Sequence, residues 1–256
     1  MRIALFSDIH ANLPALESFF ENLEKQSVDM VYCLGDLVGY NIWPNEVIEL
    51  IRRKQIPCIA GNYDYGIGRT SDECGCAYKT DEEKAMGQVS ISFTNSIVKE
   101  ENRKYLRALP AHIRIEFQLN DDKLNLLLVH GSPRKINEYL FEDREDKSLI
   151  RMMKDADAHI MCFGHTHKPY HKVLSATENA DQFLHAINIG SIGKPKDKDP
   201  RGGYVILDIN EQCSIKDRES VKVEFVRFGY DVEKAAKAVE DSILPDGYAD
   251  MLRRGF

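Results

Sequence analysis

The strongest constraint on the fold is an alternation of apolar runs and amphipathic helix patterns in the first sixty residues. The runs RIALF, MVYCL and IPCIA have the length and composition of buried strands, and two helix patterns separate them. Asn12 and Pro14 mark the start of the first helix, and Pro44 marks the start of the second. Successive βαβ units predict parallel strands joined by right-handed crossovers.

The remainder of the chain divides into a helical stretch and a strand-rich stretch. Thr80 and Glu83 form a capping box, and four apolar residues then recur on one helix face: Met86, Val89, Phe93 and Ile97. Strand-like runs dominate from residue 113 onward, with one helix near SLIRMMKDA. We expect a single domain of residues 1–256, in which residues 66–110 form a helical flank or lid and residues 211–256 form a strand-helix extension.

Composition and charge limit the partners. The chain has 34 Lys and Arg residues and 41 Asp and Glu residues. The resulting net charge of −7 argues against a protein that wraps duplex nucleic acid. No apolar run approaches the roughly 18 residues of a membrane span, and MRIALFSDIH lacks the unbroken apolar stretch of a signal peptide. We expect a cytoplasmic protein with no membrane partner and reduced cysteines, in which Cys74 and Cys76 are loop residues.

Five polar blocks follow the predicted strands: SDIH, LGDLVG, AGNYD, VHGSP and FGHTHKP. Singly, each block has a structural explanation, such as a turn aspartate or a histidine that bonds to backbone. Together they supply nitrogen and oxygen donors, which suit Mn, Fe, Zn, Co or Ni rather than a thiolate site. The candidate ligands are Asp8, His10, Asp36, Asn62, His130, His165 and His167.

In this order, the five blocks resemble the motifs of the calcineurin-like metallophosphoesterases, and in particular those of the short bacterial and archaeal phosphodiesterase branch. The run NIGSIGKPKDKDPRGGYVIL is also similar to that branch, so the resemblance spans roughly residues 1–210. It implies an α/β (α+β) fold class, a four-layer αββα sandwich in which mixed sheets are flanked by helices.

The resemblance also implies a site with two divalent metal ions, for which manganese is the first choice and Fe, Zn, Ni, Co or Mg are alternatives. One ion is held by Asp8, His10 and His167, the other by Asn62, His130 and His165, and Asp36 bridges the two. A bridging hydroxide then attacks phosphorus in line. The catalytic residues expected from the resemblance are Asp36, Asn62, Tyr63 and His130.

A glycine-rich run supplies candidate substrate contacts. Gly190, Ser191 and Lys194, together with Asn62, are expected to bind the phosphate through backbone amides and polar side chains. The alternative is a glycine-rich strand connection that carries solvated lysines.

The sequence therefore predicts a dinuclear metal-dependent phosphoesterase that hydrolyses a phosphodiester or a nucleotide-type phosphate. Two alternatives stay open: a phosphomonoesterase or protein phosphatase with the same ligands, and a non-catalytic metal-binding scaffold. Two divalent cations carry a charge of +4, and Asp8, Asp36 and a hydroxide carry −3, so the local charge is near +1. We therefore expect small phosphate esters to bind at this site and duplex nucleic acid not to bind. Some relatives form dimers or larger assemblies, and the sequence leaves a homo-oligomer open.

Tyr63 departs from the commonest family pattern, in which a histidine at this position protonates the leaving group. A phenol is a weaker acid than an imidazolium. Tyr63→His should therefore accelerate hydrolysis of esters with high-pKa leaving groups more than that of nitrophenyl esters, as measured by kcat on both substrate types. An equal effect on the two would contradict this leaving-group argument.

Overall fold

The computed structural model describes residues 1–120, 123–177 and 181–256. The strands are β1 (Arg2–Phe6), β2 (Met30–Cys33), β3 (His112–Gln118), β4 (Lys123–Val129), β5 (Ile160–Phe163), β6 (Tyr170–Ser175), β7 (Phe183–Asn188), β8 (Gly202–Asp208) and β9 (Lys222–Phe228). The helices are α1 (Leu13–Leu23), α2 (Pro44–Arg53), α3 (Asn62–Gly68), α4 (Asp81–Ile97), α5 (Glu100–Ala108), α6 (Asp146–Asp155), α7 (Val232–Glu240) and α8 (Gly247–Arg254). Within these ranges, no helix has both the length and the apolar character needed to cross a bilayer.

The strands form two mixed sheets. One has the order β2-β1-β8-β9 and the other has the order β3-β4-β5-β7-β6. The parallel pairs are β1 with β2, β4 with β5, and β5 with β7, while the remaining pairs are antiparallel. The predicted parallel sheet is thus extended by antiparallel strands that come from the second half of the chain.

Alternate residues of β1 enter two different cores, as the period of a strand requires. Ile3 and Leu5 face the second sheet and pack with residues of β4, β5, β7 and β8. Ala4 and Phe6 face outward and pack against α1, α2, α7 and α8. A third core lies between the five-stranded sheet and α6. These layers confirm the predicted αββα sandwich.

The prediction of a third strand at IPCIA is wrong. This segment forms only an isolated parallel bridge, between Cys33 and Cys58. Pro57 has no amide hydrogen to contribute to a ladder, and the amide of Ala60 donates to the carbonyl oxygen of Pro110 instead. The segment therefore leaves the sheet early and leads into α3.

The sequence patterns do not predict two of the helices. The first is α3, whose sequence NYDYGIG has low helix propensity because it contains two glycines. The second is α8, which follows the predicted C-terminal helix and packs against α7. Both depend on tertiary contacts, since short helices are marginal alone.

The buried face of α4 also differs from the prediction. Val89 is 37% exposed, whereas Ser90 and Thr94 are fully buried. The hydroxyl oxygen of Ser90 accepts a hydrogen bond of 2.8 Å from the backbone amide of Tyr40. Small polar side chains bring α4 close to the loop that follows β2, and this contact outweighs the apolar pattern.

Ser90→Ala should lower the free energy of unfolding by about 1–3 kcal/mol, because the buried amide of Tyr40 loses its acceptor. Val89→Ala on the same helix should change it by less than about 0.5 kcal/mol. Urea unfolding of both variants measures the difference. A larger loss for Val89→Ala would show that the apolar face governs the packing of α4.

Candidate metal centre

The loops after β1, β2 and β5 carry most of the candidate ligands in an unusual backbone conformation. Positive φ values are uncommon for residues other than glycine and are typical of functional sites. They turn the chain sharply at the end of a strand, so that side chains from different loops meet. The candidate ligands with φ between 49° and 65° are Asp8, His10, Asp36, His165 and His167.

Two glycines allow these loops to approach each other. A Cβ atom on Gly61 would lie 2.0 Å from Oδ1 of Asp36, and a Cβ atom on Gly164 would lie 2.4 Å from Oδ2 of Asp8. Any side chain at either position would displace a carboxylate. The glycines next to the polar blocks are therefore needed for close packing around the site.

The first donor group consists of Asp8, His10 and His167, whose donor atoms lie within 4.8 Å of one another. Nε2 of His167 lies 3.1 Å from Oδ1 of Asp8 and 3.2 Å from Nε2 of His10. All three side chains are buried. The group contains the three residues that the resemblance assigns to one metal.

Backbone acceptors determine which ring nitrogens of this group face the centre. Nδ1 of His10 contacts the carbonyl oxygen of Val38 at 3.0 Å, and Nδ1 of His167 contacts that of Lys194. A carbonyl oxygen only accepts, so Nδ1 carries the hydrogen and Nε2 of each neutral ring presents a lone pair. Two such lone pairs 3.2 Å apart repel each other unless a cation lies between them. The donor set therefore fits a divalent metal ion.

The second donor group consists of Asp36, His130 and His165, again with donor atoms within 4.8 Å. Nε2 of His130 lies 3.3 Å from Oδ2 of Asp36 and 3.1 Å from Oδ1 of Asn62. Nε2 of His165 is buried and has no hydrogen-bond partner among the described residues. An unpartnered nitrogen beside a carboxylate is the arrangement expected of a metal ligand.

Asp36 connects the two groups. Its Oδ2 atom lies 3.3 Å from Nε2 of His130 and 3.6 Å from Nε2 of His10. Its Oδ1 atom accepts a hydrogen bond of 2.8 Å from the amide of Tyr63. One carboxylate oxygen thus faces both donor groups, while the other fixes the orientation of the side chain.

Burial and charge set the protonation of the site. Burial lowers the pKa of His10 to about 3 and that of His165 to about 3, so both imidazoles are neutral. Burial also opposes a proton on His130, but the charge and hydrogen bond of Asp36 outweigh it and raise the pKa of His130 to about 10. The field that favours a proton on His130 also favours a divalent cation.

Asp64 supports the site from behind, although the sequence prediction assigned it no role. Its carboxylate accepts hydrogen bonds from the backbone amides of Asp36 (2.7 Å), Leu37 (2.9 Å) and Gly61 (2.9 Å). It therefore joins the Asp36 turn to the first turn of α3. The detectable signal is the three-residue spacing from Gly61 to Asp64, at which a carboxylate in the first helical turn can accept the amide of the N-cap residue.

Asn62 connects the site to the loop that contains the two neighbouring cysteines. Its Nδ2 donates to the carbonyl oxygen of Cys74 (2.7 Å) and lies 3.5 Å from Sγ of Cys76. Both cysteines lie in a loop, as predicted, and the six cysteines are all unpaired. These bonds to Nδ2 direct the Oδ1 atom of Asn62 toward His130.

Tyr63 is 1% exposed, and its ring meets that of His10 edge-on at 5.4 Å. Burial raises the pKa of Tyr63 well above its usual value, so the phenol keeps its proton. The catalytic role of Tyr63 stays a prediction.

The predicted phosphate-binding run lies beside the first donor group, and its polar atoms bond within the protein. The amide of Gly190 donates to a side chain two residues earlier, and the hydroxyl of Ser191 donates to the carbonyl oxygen of Asp8. Nζ of Lys194 points toward the C-terminal helix, 3.3 Å from the carbonyl oxygen of Phe256. In these positions the residues support the loop that carries Asp8, and their contact with substrate stays a prediction.

The chain belongs to the calcineurin-like phosphoesterase superfamily, because the model of that domain matches residues 1–212. Members of this family bind divalent metals, in agreement with the two donor groups. An uncharacterised protein of Methanocaldococcus jannaschii is 31% identical over 268 residues, which cover 99% of this chain and 98% of that protein.

Solved structures show the same architecture. A metallophosphoesterase from Sphaerobacter thermophilus is 26% identical, with a TM-score of 0.72 over 100% of this chain and 99% of that chain. A hypothetical protein from Pyrococcus horikoshii OT3 has a TM-score of 0.77 at 21% identity, over 100% of this chain and 98% of that chain. The second comparison concerns the fold alone.

Asp36→Asn should reduce the bound metal and abolish phosphoesterase activity, because the amide keeps the Oδ1 acceptor for Tyr63 but removes the charge shared by the two donor groups. Elemental analysis after dialysis against Mn²⁺ measures the stoichiometry. Asp72→Asn, at an exposed loop position, is the matched control and should behave like the wild type. Full metal content and activity in Asp36→Asn would contradict a bridging role.

Proposed function

We propose that this protein hydrolyses a phosphodiester or nucleotide-type phosphate with two divalent cations, manganese first among them. The observation that carries the proposal is the position of Asp36, whose single Oδ2 atom faces a histidine of each donor group at 3.6 Å and 3.3 Å. This is the arrangement expected of a carboxylate that bridges two cations.

When bound, two such cations lower the pKa of water and neutralise phosphoryl charge, which favours in-line attack on phosphorus. The chain's own contribution is the geometry of the donors. Backbone carbonyls orient the rings of His10 and His167, and Asp64 anchors the turn that carries Asp36. Hydrogen bonds of this kind, made to the candidate ligands by neighbouring groups, hold the ligands in place before substrate binds.

Lys196 is a candidate for contact with the phosphate. Its amide donates to the carbonyl oxygen of His167 (3.2 Å), and its side chain is half-buried. Within residues 1–120, 123–177 and 181–256, its ammonium makes no hydrogen bond or ion pair. Burial lowers the pKa of this ammonium, and the charges of nearby groups, Asp8 and Asp36 among them, partly offset that effect. A cation held near the centre without a fixed partner suits an incoming phosphate.

The complete ligand set favours an enzyme over a non-catalytic scaffold, because a scaffold has no need of two metal sites. A phosphomonoesterase would use the same ligands and is separated from a diesterase by substrate shape. Cytoplasmic location, the absence of a duplex nucleic acid partner, and any homo-oligomer remain expectations from the sequence.

Lys196→Met should raise KM for phosphate esters about tenfold, because it removes a charge-assisted contact, worth roughly 1.5–3 kcal/mol, from a partly solvated site. Lys198→Met is the matched control, since Lys198 is exposed two residues further along, and its KM should stay that of the wild type. Steady-state kinetics with Mn²⁺ measure both. An unchanged KM in Lys196→Met would remove this residue from the substrate site.

A substrate panel tests the proposed function itself. Bis-p-nitrophenyl phosphate, p-nitrophenyl phosphate and dinucleoside polyphosphates are assayed with Mn²⁺, Ni²⁺, Mg²⁺ and Zn²⁺. We expect turnover of diesters above monoesters, and loss of activity on chelation. A metal-loaded sample with no turnover on any of these would favour the scaffold.

A further inference from the structure

Two aromatic rings extend outward from the second donor group. The ring of Tyr139 lies 4.1 Å from the imidazole of His165, at an interplanar angle of 39°. The ring of Phe141 stacks on Tyr139 at 5.7 Å and 14°. A nearly parallel pair of rings therefore leads from a candidate metal ligand toward the surface.

The outer ring is exposed on a backbone that is held in place. Phe141 is 43% exposed, whereas Leu140 beside it is fully buried. The carbonyl oxygen of Leu140 accepts a hydrogen bond from the hydroxyl of Tyr170, and Nζ of Lys172 donates to the carbonyl oxygen of Glu142 (both 3.0 Å). The position of Phe141 is thus fixed from both sides. An exposed phenyl ring does not contribute the stability of a buried one, and its outer face stays free to stack on a ligand.

The rings border a surface cavity of about 400 Å³. Its other lining residues are Asp143, Arg144, Glu145 and Ser148. The charge of Arg144 is already paired, because its guanidinium lies 3.1 Å from the carboxylate of Glu138 and donates to the hydroxyl of Ser148. Carboxylates repel phosphate but accept hydrogen bonds from the N–H groups of a nucleobase. Aromatic faces in nucleic-acid-binding proteins stack on bases of any sequence. The cavity therefore suits the base of a substrate whose phosphate lies at the metal centre.

We propose that Tyr139 and Phe141 form a stacking platform for a nucleobase, so that the substrate is a nucleotide diester. This inference rests on the proposed function and assigns its substrate class. A cationic headgroup such as choline is the competing occupant. The two parallel rings offer one flat face rather than a cage of several faces, which favours a planar base.

The test compares three diesters that share a p-nitrophenol leaving group: thymidine 5′-(p-nitrophenyl phosphate), p-nitrophenylphosphorylcholine and ethyl p-nitrophenyl phosphate. With Mn²⁺, Phe141→Ala should raise KM for the thymidine ester about fivefold or more and leave its kcat unchanged. KM for the other two esters should not change. Phe141→Trp should restore stacking, and Phe141→Leu should not.

Phe225→Ala is the matched control, because Phe225 is also exposed (40%) and lies on β9, in the four-stranded sheet. It should leave all three KM values unchanged. An equal rise in KM for all three esters in Phe141→Ala would assign Phe141 a structural role. A rise confined to the choline ester would assign the cavity to a cationic headgroup. Either result overturns the platform.

If the wild type hydrolyses none of the esters, the proposed hydrolysis fails, and the platform is tested by binding alone. Isothermal titration calorimetry with Mn²⁺ then compares adenosine 5′-monophosphate with inorganic phosphate. The platform predicts that Phe141→Ala weakens nucleotide binding about fivefold or more and leaves phosphate binding unchanged. Equal nucleotide affinities for wild type and variant would overturn it.

Discussion

The buried carboxylate of Asp36 is the constraint on which the rest of the site depends. It is almost completely removed from solvent, and burying an ionised group is costly unless charges and hydrogen bonds compensate. One oxygen faces imidazoles of both donor groups, and the other accepts the amide of Tyr63. The turn at Asp36, the close contact with Gly61 and the bonds to Asp64 together hold this group in place.

The sandwich explains how such a group can be held. The strands of two different sheets end beside each other, and their rigid cores fix the loops that follow. The site is therefore built from loops whose ends cannot move far, which keeps the donors in place before a ligand binds. The same rigidity extends outward to Phe141, whose backbone is fixed by Tyr170 and Lys172. The candidate metal centre and the proposed platform thus share one preorganised frame.

Helices and strands with a clear apolar pattern or cap were predictable from the sequence. Segments in which a proline or a buried polar contact opposes the apolar pattern were not. The apolar run of β1 and the capped start of α1 at Asn12 reflect local energetics, and the structure contains both. The segment around Pro57 does not form the predicted strand, because proline lacks the amide hydrogen that a strand ladder needs. In α4, the hydrogen bond of Ser90 decided the packing, and no local pattern indicates a partner fifty residues away.

The sequence by itself determined the types of the candidate ligands and their order along the chain, because an Asp, Asn or His beside glycine at a strand end is a local signal. Only the tertiary structure decided which of them meet, since the residues that share a donor group are up to 159 positions apart, as in Asp8 and His167. It also decided that Lys194 points away from the centre, that Asp64 supports it, and that Tyr139 lies against His165. Side-chain direction depends on packing between distant segments, and no local pattern records it.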